Sequence, residues 1–256
     1  MKSLIKFNYI SGSRPHKLTN VAILSPCIIW VRAGYKRLLS DQDIDNVDTQ
    51  NLLFIRSGER LTFENQPSDI PFRSCQISFH HSPDQSLLAL SIDNDIQHSR
   101  IVPLSHNLLS MLEIIKNMSE IELSETVQRC WLDGFYHYLA EHGLLHKLFS
   151  YTYLSLTEKL SEHFAQSPAD DFSIEKDSQQ LGMSRSTLIR HLRQENTSYR
   201  EVLLNVRMNH AIGLLQAGNR DTNVIALECG YLSEQRFLQR FRERFGLSAK
   251  EYMATI

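Results

Sequence analysis

What most constrains this chain is a short unit that occurs twice near its C-terminus. Ser173 is placed to cap a helix reaching Leu181, Gly182 breaks that helix, and Ser184 caps a second one, RSTLIRHLRQE. A long helical stretch, YREVLLNVRMNHAIGLLQAG, then closes at Gly218. The same order returns: a helix over Thr222 to Cys229, a stop at Gly230, and Ser233 capping EQRFLQRFRERF. An offset of 49 residues lays Ser184 on Ser233, Leu188 on Phe237, Leu192 on Phe241 and Arg193 on Arg242.

Helical periodicity divides these second helices into two faces. Phe237, Phe241 and Phe245 share one, and Gln235, Gln239 and Arg242 lie roughly opposite; the matching outer set in the first unit is Ser186, Arg190 and Arg193. Such a helix fits the DNA major groove, where Arg can pair with guanine and Gln with adenine, and further Arg residues neutralise phosphates. The connecting helix, at about 1.5 Å per residue, spans about 28 Å. That suits two reading helices in successive major grooves, about 34 Å apart. The whole chain, with 27 Lys and Arg against 29 Asp and Glu, offers nucleic acid no bulk attraction. The basic excess is local: eleven cations face seven acids between residues 183 and 256.

Residues 153 to 253 resemble the double helix-turn-helix domain of the AraC/XylS family of bacterial transcription regulators. The signatures are GMS with Leu188 and Arg190, Arg207-Met208 with Ala211 and Leu214-Leu215, and Ile225-Ala226. Gly230-Tyr231, Ser233, Phe237, Phe241 and Phe245-Gly246 complete them. The resemblance implies recognition helices at 184 to 194 and 233 to 245. Base-reading positions then fall at Arg185, Ser186, Ile189 and Arg190, and at Glu234, Gln235, Leu238 and Gln239, with Arg193 and Arg242 beside them toward phosphate. Four positions depart from the family pattern: Gln239 where a basic residue is common, Asp177 where an aliphatic one is usual, Ser178 where Ala is usual, and Ala249 in place of Pro. A carboxylate at 177, on the inner face of a helix, is costly unless hydrogen-bonded or solvated.

The N-terminal half reads differently. From residue 3 to about 95, β-favouring runs such as CIIWVRA, NLLFI, RLTFE, SCQISF and LLALSI recur between turn-forming clusters, predicting about eight strands in a sandwich or barrel. Helices follow over about 104 to 142. One begins after the cap Ser124 with Val127, Cys130, Trp131, Phe135, Tyr138 and Leu139 on a broad apolar face, able to cover the sheet or a second subunit. CIIWVRAGYKRLL and TQNLLFIRSGERLTF are similar to the cupin-like barrel of the family's virulence and stress regulators. Where fatty-acid-binding members of that branch carry a lysine from each domain, this chain has Cys27 and Gln216, so that ligand does not carry over. Arg32, Lys36 and Arg37 read as exposed strand or hairpin cations.

The fold expected is therefore α+β: a β-rich, cupin-like regulatory or dimerisation domain over 1–148, and an all-α DNA-binding domain over 150–256. Promoter DNA is the expected partner, with RNA polymerase if the chain is an activator and a homodimer through residues 104–142. An antagonist that heterodimerises with another regulator would look the same in sequence. A small-molecule effector in the N-terminal domain is left open, and no other cofactor is expected. His80 and His81 are adjacent, and Gly143 interrupts the His142–His146 spacing, so neither pair forms a metal site, and no enzymatic motif is found. The four cysteines, Cys27, Cys75, Cys130 and Cys229, read as buried thiols. With no membrane-length apolar run and no signal peptide, a cytoplasmic location is expected.

Overall fold

A computed structural model describes residues 3–40, 44–96, 98–150 and 155–256. They cluster into two compact units, one drawn from residues 3–16, 25–59 and 63–150, the other from 17–24, 60–62 and 155–256.

The first unit is built on antiparallel β-structure. Strands β1 (Ile5–Gly12), β3 (Cys27–Ala33), β6 (Asn51–Ile55), β8 (Phe72–Phe79) and β9 (Ile101–Pro103) form a sheet of order β1-β8-β3-β6-β9. Further strands are β2 (His16–Ala22), β4 (Tyr35–Leu39), β5 (Ile44–Val47) and β7 (Arg60–Gln66), and β4 pairs antiparallel with β5 and with Phe63–Gln66 of β7. Register aligns Phe54, Ile28 and Ile77 across three strands of the first sheet, and Leu52, Trp30 and Cys75 beside them. This apolar face packs under α2 (His106–Ser119) through Leu108, Leu112 and Ile115, and under α3 (Glu125–Glu141) through Leu132, Phe135 and Leu139. Ser105 and Ser124 cap those helices by accepting from Leu108 N–H and Val127 N–H. Between β3 and β4, Gly34 turns at φ +73°, where a Cβ would lie 2.2 Å from the Gln66 carbonyl oxygen, so only glycine fits.

Several expectations for this half are corrected. LLALSI is not a strand: Asp84 accepts from Ser86 N–H and starts α1 (Gln85–Asp93), which buries Leu87, Leu88 and Ser91 at helical spacing. Strand β5 takes in the polar pair Asp45 and Asn46, and a ninth strand lies beyond residue 95. On α3 the buried set is Gln128, Leu132, Phe135, Tyr136, Leu139 and Ala140, leaving Val127, Cys130 and Trp131 exposed. Gln128 tolerates burial because its side chain takes Leu4 N–H at 2.9 Å and donates to the Leu123 carbonyl at 3.0 Å. Cys130 is thus an exposed thiol, whereas burial pushes those of Cys75 and Cys229 up to about 11 and 12.

Lys36 is corrected as well: inward-facing on β4, it is 2% exposed. Its ammonium donates to Asn65 Oδ1 at 2.5 Å and lies 3.4 Å from the centre of the Phe63 ring, while the Asn65 amide meets His16 Nε2 at 2.9 Å. With no carboxylate paired to it among the described residues, burial pulls the Lys36 pKa down to about 7. Burial, reinforced by the nearby Lys36 charge, takes His16 down to about 4, against the hydrogen bond to the Arg14 carbonyl.

The second unit is largely helical: α4 (Leu156–Gln166), α5 (Ile174–Gln180), α6 (Arg185–Gln194), α7 (Tyr199–Gln216), α8 (Thr222–Glu228), α9 (Glu234–Phe245) and α10 (Ala249–Met253). No helix among the described residues is long and apolar enough to cross a membrane.

Candidate nucleic-acid interface

Each repeat folds as helix, glycine turn, helix. In the first, Gly182 takes φ +67° after α5, and Ser184 caps α6 by accepting from Thr187 N–H at 3.2 Å. In the second, Asp221 caps α8 through Asn223 N–H and Val224 N–H, Gly230 takes φ +73°, and Ser233 caps α9. Gly246 closes α9 in the left-handed region.

The inner faces explain why these helices hold still. Leu188 and Leu192 of α6 join Leu160 and Phe164 of α4 and Val202 and Val206 of α7 in one buried cluster. Phe237, Phe241 and Phe245 of α9 are fully buried, with ring centroids 5.9 and 4.8 Å apart along the row, and Tyr252 of α10 packs on Phe241 at 6.3 Å. Glu195, just past α6, accepts Leu156 N–H and Thr157 N–H at 2.8 Å each, which ties the end of α6 to the start of α4. Nothing in the local pattern marked Glu195 for this task.

Asp177 is 5% exposed and is hydrogen-bonded rather than turned outward. Its carboxylate accepts from the Tyr199 hydroxyl and meets His163 Nε2 at 3.2 Å, joining α4, α5 and α7. Burial, then the Asp177 hydrogen bond and charge, push the Tyr199 pKa well up, so the phenol remains a donor. Ser178, beside it, donates to the Glu175 carbonyl at 3.0 Å.

The outer faces carry the candidate contacts. On α6, Arg185, Ser186, Arg190 and Arg193 are exposed and Ile189 is half-buried; Ser186, Ile189, Arg190, Arg193 and Gln194 line one shallow depression. Arg185 Nε lies 3.2 Å from Glu175, a solvent-exposed pair. On α9, Gln235, Gln239 and Arg242 are exposed, while Glu234 and Leu238 are half-buried. The Glu234 carboxylate accepts from the Thr222 hydroxyl, linking the starts of α8 and α9. Gln239 donates to Glu243 at 2.8 Å, and Arg240 pairs with the same carboxylate at 2.9 Å. Among the described residues Arg190, Arg193, Arg236 and Arg242 form no ion pair, so their charge is directed to solvent.

Two arginines are structural instead. Arg207, midway along α7, donates to the Pro168 and Asp170 carbonyls at 3.0 and 2.9 Å, and Arg244 is 8% exposed and paired with Glu201 at 3.0 Å.

In the first unit, Ser91 Oγ lies 2.9 Å from His146 Nδ1, and His146 Nε2 lies 3.2 Å from Asp95, an arrangement that chain order had hidden. Ser91 is fully enclosed and its oxygen also accepts His146 N–H at 3.1 Å, so the three residues tie α1 to the segment after α3.

The profile of a helix-turn-helix domain family matches residues 178–255. The regulator YdeO of Escherichia coli K12 is 35% identical over 97 residues, 38% of each chain. GadX of the same strain is 33% identical over 84 residues, covering 33% of this chain and 31% of that one. The chain thus spans about a third of the length of these curated relatives. ToxT of Vibrio cholerae O395, solved with (E)-4-(8-methylnaphthalen-1-yl)but-3-enoic acid, aligns over 99% of both chains with a TM-score of 0.63 at 17% identity. At that identity the likeness concerns the fold: a cupin-like N-terminal β-domain and a C-terminal helical one. Residues 178–255 of this chain are therefore a helix-turn-helix domain.

Proposed function

We propose that the protein is a sequence-specific regulator of transcription that binds promoter DNA through α6 and α9. The observation that carries this reading is the pairing of two capped helices whose inner faces are locked in apolar clusters, while Arg190, Arg193, Arg236 and Arg242 stay outside without ion partners among the described residues. The connecting helix α7, 18 residues long, spans about 27 Å, a length suited to neighbouring turns of the major groove. YdeO and GadX carry the name of transcriptional regulators. Activation through contact with RNA polymerase is the mode we assign.

The N-terminal barrel senses or dimerises in this reading. Sensing is supported by Lys36, a cation inside the β-structure with Asn65 and His16 but no acid beside it among the described residues, the group that a small acidic effector would meet. Dimerisation is supported by the exposed stripe Val127, Trp131 and Gly134 on α3, flanked by Glu125 and Arg129.

Incubating the full chain with fragmented DNA of its own host, and sequencing what is retained, tests the reading. Reproducible enrichment of a few promoter fragments supports it; retention without preference, or none, removes it.

A further inference from the structure

The two repeats are not of equal length. Gly182 N–H and Met183 N–H bond back to Gln179 and Ser178, and Gly230 N–H and Tyr231 N–H bond back to Leu227 and Ala226, an offset of 48. The caps Ser184 and Ser233 differ by 49. One residue is therefore inserted in the second turn, between Tyr231 and Ser233. It is Leu232, and its relative exposure is 101%, the highest of the large apolar side chains among the described residues.

A leucine just before a helix cap ordinarily folds back onto the fourth helical residue, here Phe237. Tyr231 has taken that place: its ring lies 5.8 Å from Phe237 and is itself half-buried. Met183, the counterpart of Tyr231, is likewise packed against its own core. Leu232 is thus displaced from the fold and held in water at the start of α9. The start of a recognition helix is the part that enters the major groove, and the apolar feature of that groove is the thymine 5-methyl group.

Resting on the DNA-binding reading above, we propose that Leu232 is a specificity-determining residue that packs against a thymine methyl at the site read by α9, a contact with no counterpart in the first repeat. Leu232 selects thymine over cytosine there by burying the methyl group, with no hydrogen bond.

The test uses the full chain and a duplex that it retains, each thymine being replaced in turn by deoxyuridine, which lacks only the methyl group. Loss of one buried methyl contact is expected to weaken binding about fourfold at one or two adjacent positions. Leu232→Ala, at a site with no folded contacts, is expected to melt with the parent, to bind the thymine duplex about fourfold more weakly, and to ignore the replacement. A flat scan, or a Leu232→Ala protein with the parent's sensitivity, overturns the contact while leaving the regulator reading intact. If the full chain retains no duplex, both fall.

Discussion

The Tyr199 hydroxyl donates to the carboxylate of Asp177, so an acid on the inner face of α5 is held by a phenol from α7. Removing either partner alone strands the other in the protein interior. Asp177→Leu and Tyr199→Phe are each expected to destabilise the C-terminal unit by about 1–3 kcal/mol. The double variant, apolar on both sides, is expected to recover most of that loss, since half-exposed His163 can turn to water. Denaturant unfolding of the full chain, followed by far-ultraviolet circular dichroism, checks the cycle; simple additivity would mean that the bond contributes nothing.

The two turn glycines separate backbone strain from crowding. Both have positive φ, but a Cβ at Gly182 meets nothing within 4 Å, whereas one at Gly230 would lie 2.5 Å from Arg207 Nη2. Gly182→Ala is expected to cost about 1–2 kcal/mol from conformation alone. Gly230→Ala should cost more, because it also pushes Arg207 off the Pro168 and Asp170 carbonyls. In an Arg207→Ala background the two costs should converge, and equal melting temperatures of the single variants would refute the crowding.

Lys36 makes the N-terminal unit sensitive to pH. Its pKa is about 7 when folded and near 10.5 when unfolded, so between those values the unfolded chain holds more protons and stability rises with pH. The stability is complete above about 10.5 and lost as pH falls through about 7. Lys36→Met is expected to stabilise the unit by roughly 1–4 kcal/mol at pH 6, with a gain that shrinks toward pH 10. Melting curves across that range give the sign directly, and a gain independent of pH would contradict a buried, titrating amine.

The C-terminal plan was legible because it is written in local chemistry. Ser184, Ser233, Gly182 and Gly230 specify caps and turns within a few residues, and the phenylalanines of α9 recur at helical spacing. LLALSI was misread because a short apolar run does not distinguish strand from helix, and the deciding residue, the cap Asp84, lies outside it. The partners of Lys36, Gln128 and Asp177 were hidden for another reason: they lie 29, 124 and 22 residues away, and only the assembled fold brings them together. Of the site, the outward positions on α6 and α9 followed from periodicity, whereas the roles of Glu195 and Arg207 depend on carbonyls and amides that no sequence pattern displays.

Arg190 and Arg242 should fail in different ways. Arg190→Ala is expected to weaken binding to the selected duplex by about 1–3 kcal/mol and to relax preference at one base pair. Arg242→Ala is expected to weaken binding evenly across sequences. Titrations against the selected duplex and single-base variants distinguish them, and an even loss for Arg190→Ala would make it a phosphate contact.

The most direct test of the central claim is the salt dependence of full-chain binding to a selected duplex, compared with a variant in which Arg190, Arg193, Arg236 and Arg242 are all alanine. A log-log slope of several units is expected for the parent, reduced by about 0.9 for each arginine that faces phosphate. A variant that folds and binds with the parent's slope would contradict the assignment of α6 and α9 as the DNA-binding surface.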